Sequence, residues 1–153
     1  GSTLGELSAW PHSTRKHIPY YLGLLAGNNK VGGKGYAYIF DHVPTGWRKE
    51  GCVTCHGMEL PYIFGTWNEQ LAWDEIFSVA TNDKAGAKSR DPGCTEVDGE
   101  VSEFMATIWA NFAKTGDPGV EGLVQWPAYN AALDSYLYIT SHPEVKSGFS
   151  KVA

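Results

Sequence analysis

The stretch that decides the interpretation of this chain runs from Cys52 to Gly65 and has the sequence CVTCHGMELPYIFG. Its first five residues, Cys52-Val53-Thr54-Cys55-His56, match C-x-x-C-H, the pattern that attaches c-type haem. In such sites the two thiols hold the haem and the histidine binds its iron. The residues that follow His56 offer a second interpretation, and the remainder of the chain decides between the two.

Length and composition indicate one globular domain. The chain has 153 residues, of which 42% are hydrophobic and 13% aromatic, and a net charge of −5. No basic stripe points to a nucleic-acid partner, and no apolar run is long enough to span a membrane. Three cysteines leave the compartment open, although a Cys52–Cys55 or Cys52–Cys94 disulfide would fit a secreted or periplasmic protein.

The haem interpretation lacks support elsewhere in the sequence. A haem domain usually provides a second axial ligand, often Met or His. Met58 is too close to His56 in sequence to reach the opposite haem face, and Met105 lies beside the apolar stripe of a predicted helix. Packing is therefore the simpler role for Met105. Free thiols or a local disulfide are the simpler interpretation of the two cysteines.

Two short strands are predicted, far apart in sequence. Tyr36–Phe40 is a compact aromatic and β-branched run after a glycine-rich turn, and Tyr136–Ile139 has the same character. About a hundred residues separate them, so they need not pair with each other. Two strands are too few for a complete α/β domain, which predicts a piece of a larger fold that exposes apolar surface or an open sheet edge.

One long helix is predicted between these strands. Thr95 and Asp98 have the spacing of a capping box at its start, and Lys114 and Gly116 mark its end. Its apolar stripe has the 3.6-residue period of a helix face. The stripe consists of Val97, Val101, Phe104, Ile108 and Phe112.

The remaining segments predict mostly short or irregular structure. Residues 20–26 indicate the end of a helix closed by glycine, and residues 41–51 indicate a loop. Residues 60–64 favour a packed turn because Pro61 interrupts them. A helix is predicted around residues 74–80, with Asp74 as its cap. Residues 81–93 have few apolar anchors and predict a mobile surface loop.

Several blocks, taken in order, resemble the carboxylesterase/cholinesterase family of α/β-hydrolases. Tyr36–Asp41 (YAYIFD) resembles the family strand Y-x-Y-x-F, and His56–Gly65 (HGMELPYIFG) resembles its catalytic-histidine loop. Trp109–Pro118 (WANFAKTGDP) resembles the end of a family helix. Trp126–Tyr129 (WPAY) and Tyr136–Ile139 follow in the expected order. Several blocks in the right order are far more specific than C-x-x-C-H.

The resemblance covers about residues 36–140 and implies an α/β fold. It implies that residues 1–153 are the C-terminal segment of an α/β-hydrolase domain, with the last strands of the central sheet and their packing helices. Another chain, carrying the N-terminal portion, would complete this type-B carboxylesterase.

By the same resemblance, His56 would be the base of a catalytic triad in a carboxylic ester hydrolase acting on a small ester. Glu59 is not expected to be the triad acid, because the triad acid of this family comes earlier in the chain. Glu59 would either support the histidine loop through hydrogen bonds or be an ordinary surface carboxylate. The sequence contains no G-x-S-x-G. The serine, the acid and the oxyanion hole would therefore lie on the N-terminal portion. The resemblance implies no cofactor and no metal.

Two alternatives remain at this stage: a non-catalytic, esterase-like binding module and a c-type haem electron carrier through Cys52, Cys55 and His56. Trp47 and Trp67 could line a substrate pocket, although packing is the simpler role for both. The other histidines have no motif around them and are predicted to be solvated or capping residues. They are His12, His17, His42 and His142.

Overall fold

The computed structural model describes residues 18–82 and 85–152, which form a small sheet with helices against it. The predictions for His12 and His17 lie outside these residues. Within the described ranges, no helix combines the length and apolarity needed to cross a membrane. The elements are α1 (Ile18–Lys30), β1 (Tyr38–Phe40), α2 (Thr45–Lys49), α3 (Leu60–Ile63), α4 (Gln70–Asn82), α5 (Glu96–Thr115), β2 (Ser135–Ile139), β3 (Glu144–Ser147) and a 3₁₀ turn (Phe149–Lys151).

The sheet has the order β1-β2-β3. Strand β1 pairs in parallel with β2, with Tyr38 opposite Leu137, and β3 runs antiparallel to β2. The two predicted strands thus pair with each other, which the sequence did not require. Parallel neighbours need a long crossover, and the helices between β1 and β2 provide one. Strand β3 was not predicted because three of its four side chains are exposed, so it has no apolar pattern.

The outer edge of β1 is open. The Leu137 N–H donates to the Ala37 carbonyl at 2.9 Å. Since alternate residues of a parallel strand bond to the same neighbour, the backbone groups of Tyr38 and Phe40 point to the opposite edge. No strand within the described residues pairs there. The open edge agrees with the expectation of an incomplete sheet.

Side chains pack on both faces of the sheet. On one face, Phe40, Leu137 and Ile139 belong to the main core, which also contains Trp47 and Met105. The opposite face carries a second core. Its buried members are Ile18, Ala37, Ile39, Tyr129, Tyr136, Phe149 and Val152. A sheet covered on both faces is typical of α/β proteins.

Helix α5 confirms the long predicted helix and its caps. The Thr95 N–H donates to the Asp98 carboxylate at 2.8 Å, and Gly116 ends the helix at φ 74°, which favours glycine. The buried face is rotated from the predicted stripe, because Val97 and Phe112 are exposed. Its buried residues are Asp98, Val101, Ser102, Met105 and Ile108. Packing is therefore confirmed for Met105.

Two other helices differ from their predictions. Helix α1 continues past Gly27 to Lys30, because tertiary contacts hold its later turns: Leu25 packs against the second core, and the Asn29 side-chain N–H donates to the Tyr129 carbonyl at 2.8 Å. Helix α4 begins at Gln70, so Asp74 lies inside it instead of capping it. Its carboxylate instead accepts hydrogen bonds from Gln70 and Arg90.

Three segments predicted to be irregular contain ordered structure. The loop predicted at 41–51 contains α2, because Trp47 is drawn into the core, and the turn predicted at 60–64 forms α3. Within 81–93, Ala85 and Ala87 are buried, and the Val53 N–H donates to the Ala85 carbonyl at 2.8 Å. Alanine side chains are too small to mark a segment as buried in a sequence pattern, yet they permit close packing.

Candidate active site

His56 is an exposed residue between buried neighbours. It lies in a turn that leads into α3, while Cys55 and Met58 on either side are buried. Gly57 has φ +81°, in the left-handed region that favours glycine, and this lets the chain reverse directly after His56. The turn therefore presents the imidazole to solvent from a backbone that is fixed in the core.

Hydrogen bonds fix this turn on both sides. Upstream, the Cys52 N–H donates to the Trp47 carbonyl at 3.0 Å. Downstream, the Met58 N–H donates to the Cys55 carbonyl at 3.2 Å, and the Leu60 N–H donates to the Gly57 carbonyl at 3.0 Å. The backbone around His56 is thus held without involving its side chain.

The His56 imidazole makes no hydrogen bond to any other described residue. Both ring nitrogens are available to groups from elsewhere, as a general base requires. Glu59 is half-buried, and its carboxylate likewise makes no hydrogen bond within the described residues. Burial and then the Glu59 charge raise the pKa of Tyr38 to about 12, which places the carboxylate near β1. A supporting role for Glu59 stays a prediction.

The cysteines form no disulfide, and all three belong to the described residues. Cys52 and Cys55 lie in the main core, only 6% and 8% exposed. Burial, followed by the Glu50 charge, raises the pKa of the Cys52 thiol to about 11. A haem attached here would have to fit among the packed side chains of the main core, so this packing argues against the electron-carrier alternative. No three His, Cys, Asp or Glu residues of the described part form a metal-binding group.

The two tryptophans considered for a pocket lie at different depths. Trp47 is fully buried, and its indole N–H donates to the Ser89 carbonyl at 2.8 Å, which confirms a packing role. Trp67 is half-buried, packs against the main core and accepts a hydrogen bond at its carbonyl from Trp73 at 2.7 Å. Beside the turn, Leu60 and Phe64 are exposed at 45% and 73%.

His42 was predicted to be solvated or capping, and this was wrong. It is 2% exposed, and its Nε2–H donates to Asp98 at 2.9 Å. The Tyr62 hydroxyl donates to the same carboxylate oxygen at 3.0 Å. Asp98 had been assigned only as a helix cap. His42 and Asp98 are 56 positions apart, and no local pattern reports a pairing of that separation. His142, by contrast, is exposed.

The buried Asp98 carboxylate should make the fold sensitive to acid. Burial alone would raise the pKa of Asp98, but hydrogen bonds from His42, Thr95, Thr45 and Tyr62 together hold that pKa well below its usual range. A lowered pKa stabilises the fold above the unfolded-state value of about 4, and this stabilisation is lost as pH falls below it. We expect the unfolding free energy, measured by urea denaturation, to begin to decrease as the pH falls from 5 to 3, and to go on decreasing below pH 3 until the lowered pKa of Asp98 is passed.

Asp98→Asn provides the control for this pH dependence. The variant should be less stable at pH 7 by about 1–3 kcal/mol, since buried donors lose a charged acceptor. The difference in stability between the two proteins should shrink as the pH is lowered through 4. A difference that stays constant from pH 7 to pH 3 would contradict the assignment of this pH dependence to Asp98.

Known proteins match this chain along most of its length. The model of the carboxylesterase family matches residues 18–152. Liver carboxylesterase 1 of Oryctolagus cuniculus is 46% identical over 66 residues, which are 43% of this chain and 11% of that protein. Acetylcholinesterase of Bungarus fasciatus is 30% identical over 118 residues, which are 74% of this chain and 16% of that protein.

Solved structures show the same fold. A thermophilic pNB esterase superposes with a TM-score of 0.50 at 25% identity and covers 72% of this chain and 19% of its own. A carboxylesterase of Geobacillus stearothermophilus superposes with a TM-score of 0.52 at 23% identity, covering 79% and 21%. The chain thus spans about a tenth to a fifth of the length of these proteins. Its fold is the C-terminal part of an α/β-hydrolase, and the chain belongs to the carboxylesterase family.

Proposed function

We propose that this chain supplies the triad histidine of a carboxylic ester hydrolase. The serine, the triad acid and the oxyanion hole come from the N-terminal portion of the same enzyme. The observation that carries the proposal is the placement of His56, an exposed imidazole with no hydrogen-bond partner within the described residues, on a turn whose backbone is fixed in the core. Family membership supports the same chemistry.

In this mechanism His56 acts as general base and then as general acid. It accepts the proton of the serine hydroxyl as the serine oxygen attacks the ester carbonyl, and it returns that proton to the leaving alcohol. A water molecule then repeats the cycle and releases the carboxylic acid. The triad acid keeps the imidazole in the correct tautomer and orientation. The turn's contribution is to hold the His56 backbone in place.

Two surfaces support completion by an N-terminal portion. The outer edge of β1 offers the backbone groups of Tyr38 and Phe40 to another strand. Near the His56 turn, Leu60 and Phe64 expose apolar side chains, and Leu71 of α4 is 79% exposed. Open sheet edges and exposed apolar side chains are common features of surfaces that are covered in an assembly.

The chain on its own is expected to hydrolyse no p-nitrophenyl acetate above background, because a base without nucleophile and oxyanion donors does little. Affinity purification of the chain from its own organism should recover a polypeptide segment carrying G-x-S-x-G. A fluorophosphonate probe should label that serine and leave residues 1–153 unlabelled.

Two results would contradict this proposal in different ways. Hydrolysis at ordinary esterase rates by the purified chain, with the probe attached to it, would show that the chain contains its own nucleophile. Recovery of a stable partner without any probe-reactive serine would instead favour the non-catalytic binding module.

A further inference from the structure

Asp98 binds more groups than a helix cap needs. Its side chain is fully buried, and its two oxygens have different partners. Oδ2 accepts from the Thr95 N–H at 2.8 Å, at the start of α5, and from the hydroxyl of Thr45, the first residue of α2, at 2.9 Å. Oδ1 faces the histidine loop and accepts from Tyr62 at 3.0 Å and His42 at 2.9 Å. Capping accounts for the bond from Thr95 to Oδ2 and leaves the two bonds to Oδ1 unexplained.

Tyr62 is held by α5 at two points. Its side chain is fully buried, with the hydroxyl on Asp98. Its backbone carbonyl accepts a buried hydrogen bond from the Ser102 hydroxyl at 2.8 Å. Asp98 and Ser102 are four positions apart and therefore lie on one face of the helix. Together they fix both the position and the rotation of α3 against α5.

Backbone hydrogen bonds between residues close in sequence connect Tyr62 to the His56 turn. The Tyr62 N–H donates to the Glu59 carbonyl at 3.2 Å, and the Leu60 N–H donates to the Gly57 carbonyl at 3.0 Å. Gly57 follows His56 directly. Residues 57–59 belong to the turn, and residues 60–62 lie in α3 directly after it. A rotation of α3 would therefore move the turn that carries His56.

We propose that Asp98 is a positioning residue for His56, acting through Tyr62. The inference rests on the proposed function, in which His56 is the triad base. Displacing a catalytic base by about 1 Å lowers the reaction rate on the order of 10²-fold. Small rotations of α3 would therefore affect catalysis by His56. Buried polar groups can also specify one arrangement of a structure where an apolar contact would permit several.

The test compares Tyr62→Phe with Thr45→Val in the full chain. Each removes one hydroxyl donor to Asp98, but Tyr62 bonds to Oδ1, toward the turn, and Thr45 bonds to Oδ2, at the cap. The readout is the ¹H–¹³C NMR signal of the His56 Cε1–H, assigned with His56→Gln. We expect Tyr62→Phe to shift, broaden or split this signal, and we expect Thr45→Val to leave it in place.

The His142 signal and the methyl signals of Leu137 and Ile139 report whether the fold is intact. An unchanged His56 signal in Tyr62→Phe, with these reporters intact, would overturn the proposal. So would an equal change in Thr45→Val, because that would indicate a general loss of stability. If Tyr62→Phe does not fold, Ser102→Ala removes the other bond to Tyr62 and is expected to produce the same change of the His56 signal.

Kinetics of the assembled hydrolase separate this proposal from the proposed function. Tyr62→Phe should lower kcat for a p-nitrophenyl ester by about 10- to 100-fold with little change in KM, because the base is displaced and the ester-binding groups remain. If His56→Gln leaves hydrolysis unchanged, the proposed function fails, whereas the NMR coupling between Tyr62 and His56 is still decided by its own measurement.

Discussion

Replacing His56 with alanine is expected to lower kcat/KM for a p-nitrophenyl ester by about 10⁴-fold or more, once this chain is assembled with its serine-bearing portion. Without the imidazole, the serine keeps its proton during attack and the leaving alcohol receives none. The side chain is exposed and makes no hydrogen bond to the described residues, so the fold should not depend on it. Steady-state kinetics, with urea denaturation of both proteins, measure the two effects separately.

His142→Ala is the matched control. This histidine is also exposed, lies in the turn between β2 and β3, and contacts the Ser141 hydroxyl at 3.1 Å. Its removal should change kcat/KM by less than about twofold, as expected for a surface substitution. A His56→Ala enzyme that retains near wild-type kcat/KM, at unchanged stability, would remove His56 from the mechanism.

The features that were predicted from the sequence are those with local causes. Helix α5 begins at a capping box between Thr95 and Asp98 and ends at Gly116, and each signal lies within three residues of the boundary that it sets. The segment from His56 to Gly65 was recognised as a resemblance, because its order of residues is specific even without a structure. Local chemistry and a distinctive motif therefore accounted for the best predictions.

The features that were missed depend on distant partners. His42 is buried because its ring donates to the charged carboxylate of Asp98 and packs edge-on against the ring of Tyr62. Neither residue lies near His42 in sequence. Strand β1 pairs with β2, which is distant in sequence, with Tyr38 opposite Leu137. A single sequence does not show which distant residues contact each other in the fold. The same limit applies to the second oxygen of Asp98, whose partners become visible only in three dimensions.

A Trp47→Ala substitution is expected to destabilise the fold by about 3–5 kcal/mol, a large part of the 5–15 kcal/mol that is typical of a domain. Trp47 is fully buried and packs edge-on against Trp73, with ring centroids 5.6 Å apart, and near Phe77 at 6.3 Å. Truncation leaves a cavity in the main core and also leaves the Ser89 carbonyl without its indole donor. Urea denaturation at pH 7 measures the loss.

Trp47→Phe separates the loss of ring packing from the loss of the hydrogen bond, and Leu71→Ala is the exposed control. The phenylalanine keeps an aromatic ring in the core but loses the bond to Ser89, so we expect an intermediate loss of stability. Leu71 is 79% exposed, and its truncation should change stability by no more than about 0.5 kcal/mol. The Trp47 carbonyl also accepts from the Cys52 N–H, shortly before His56 in the chain. Collapse of the core around α2 should therefore loosen the segment that leads into the His56 turn. Equal stability of Trp47→Ala and Leu71→Ala would contradict this role for Trp47 and would place the anchor of that loop elsewhere.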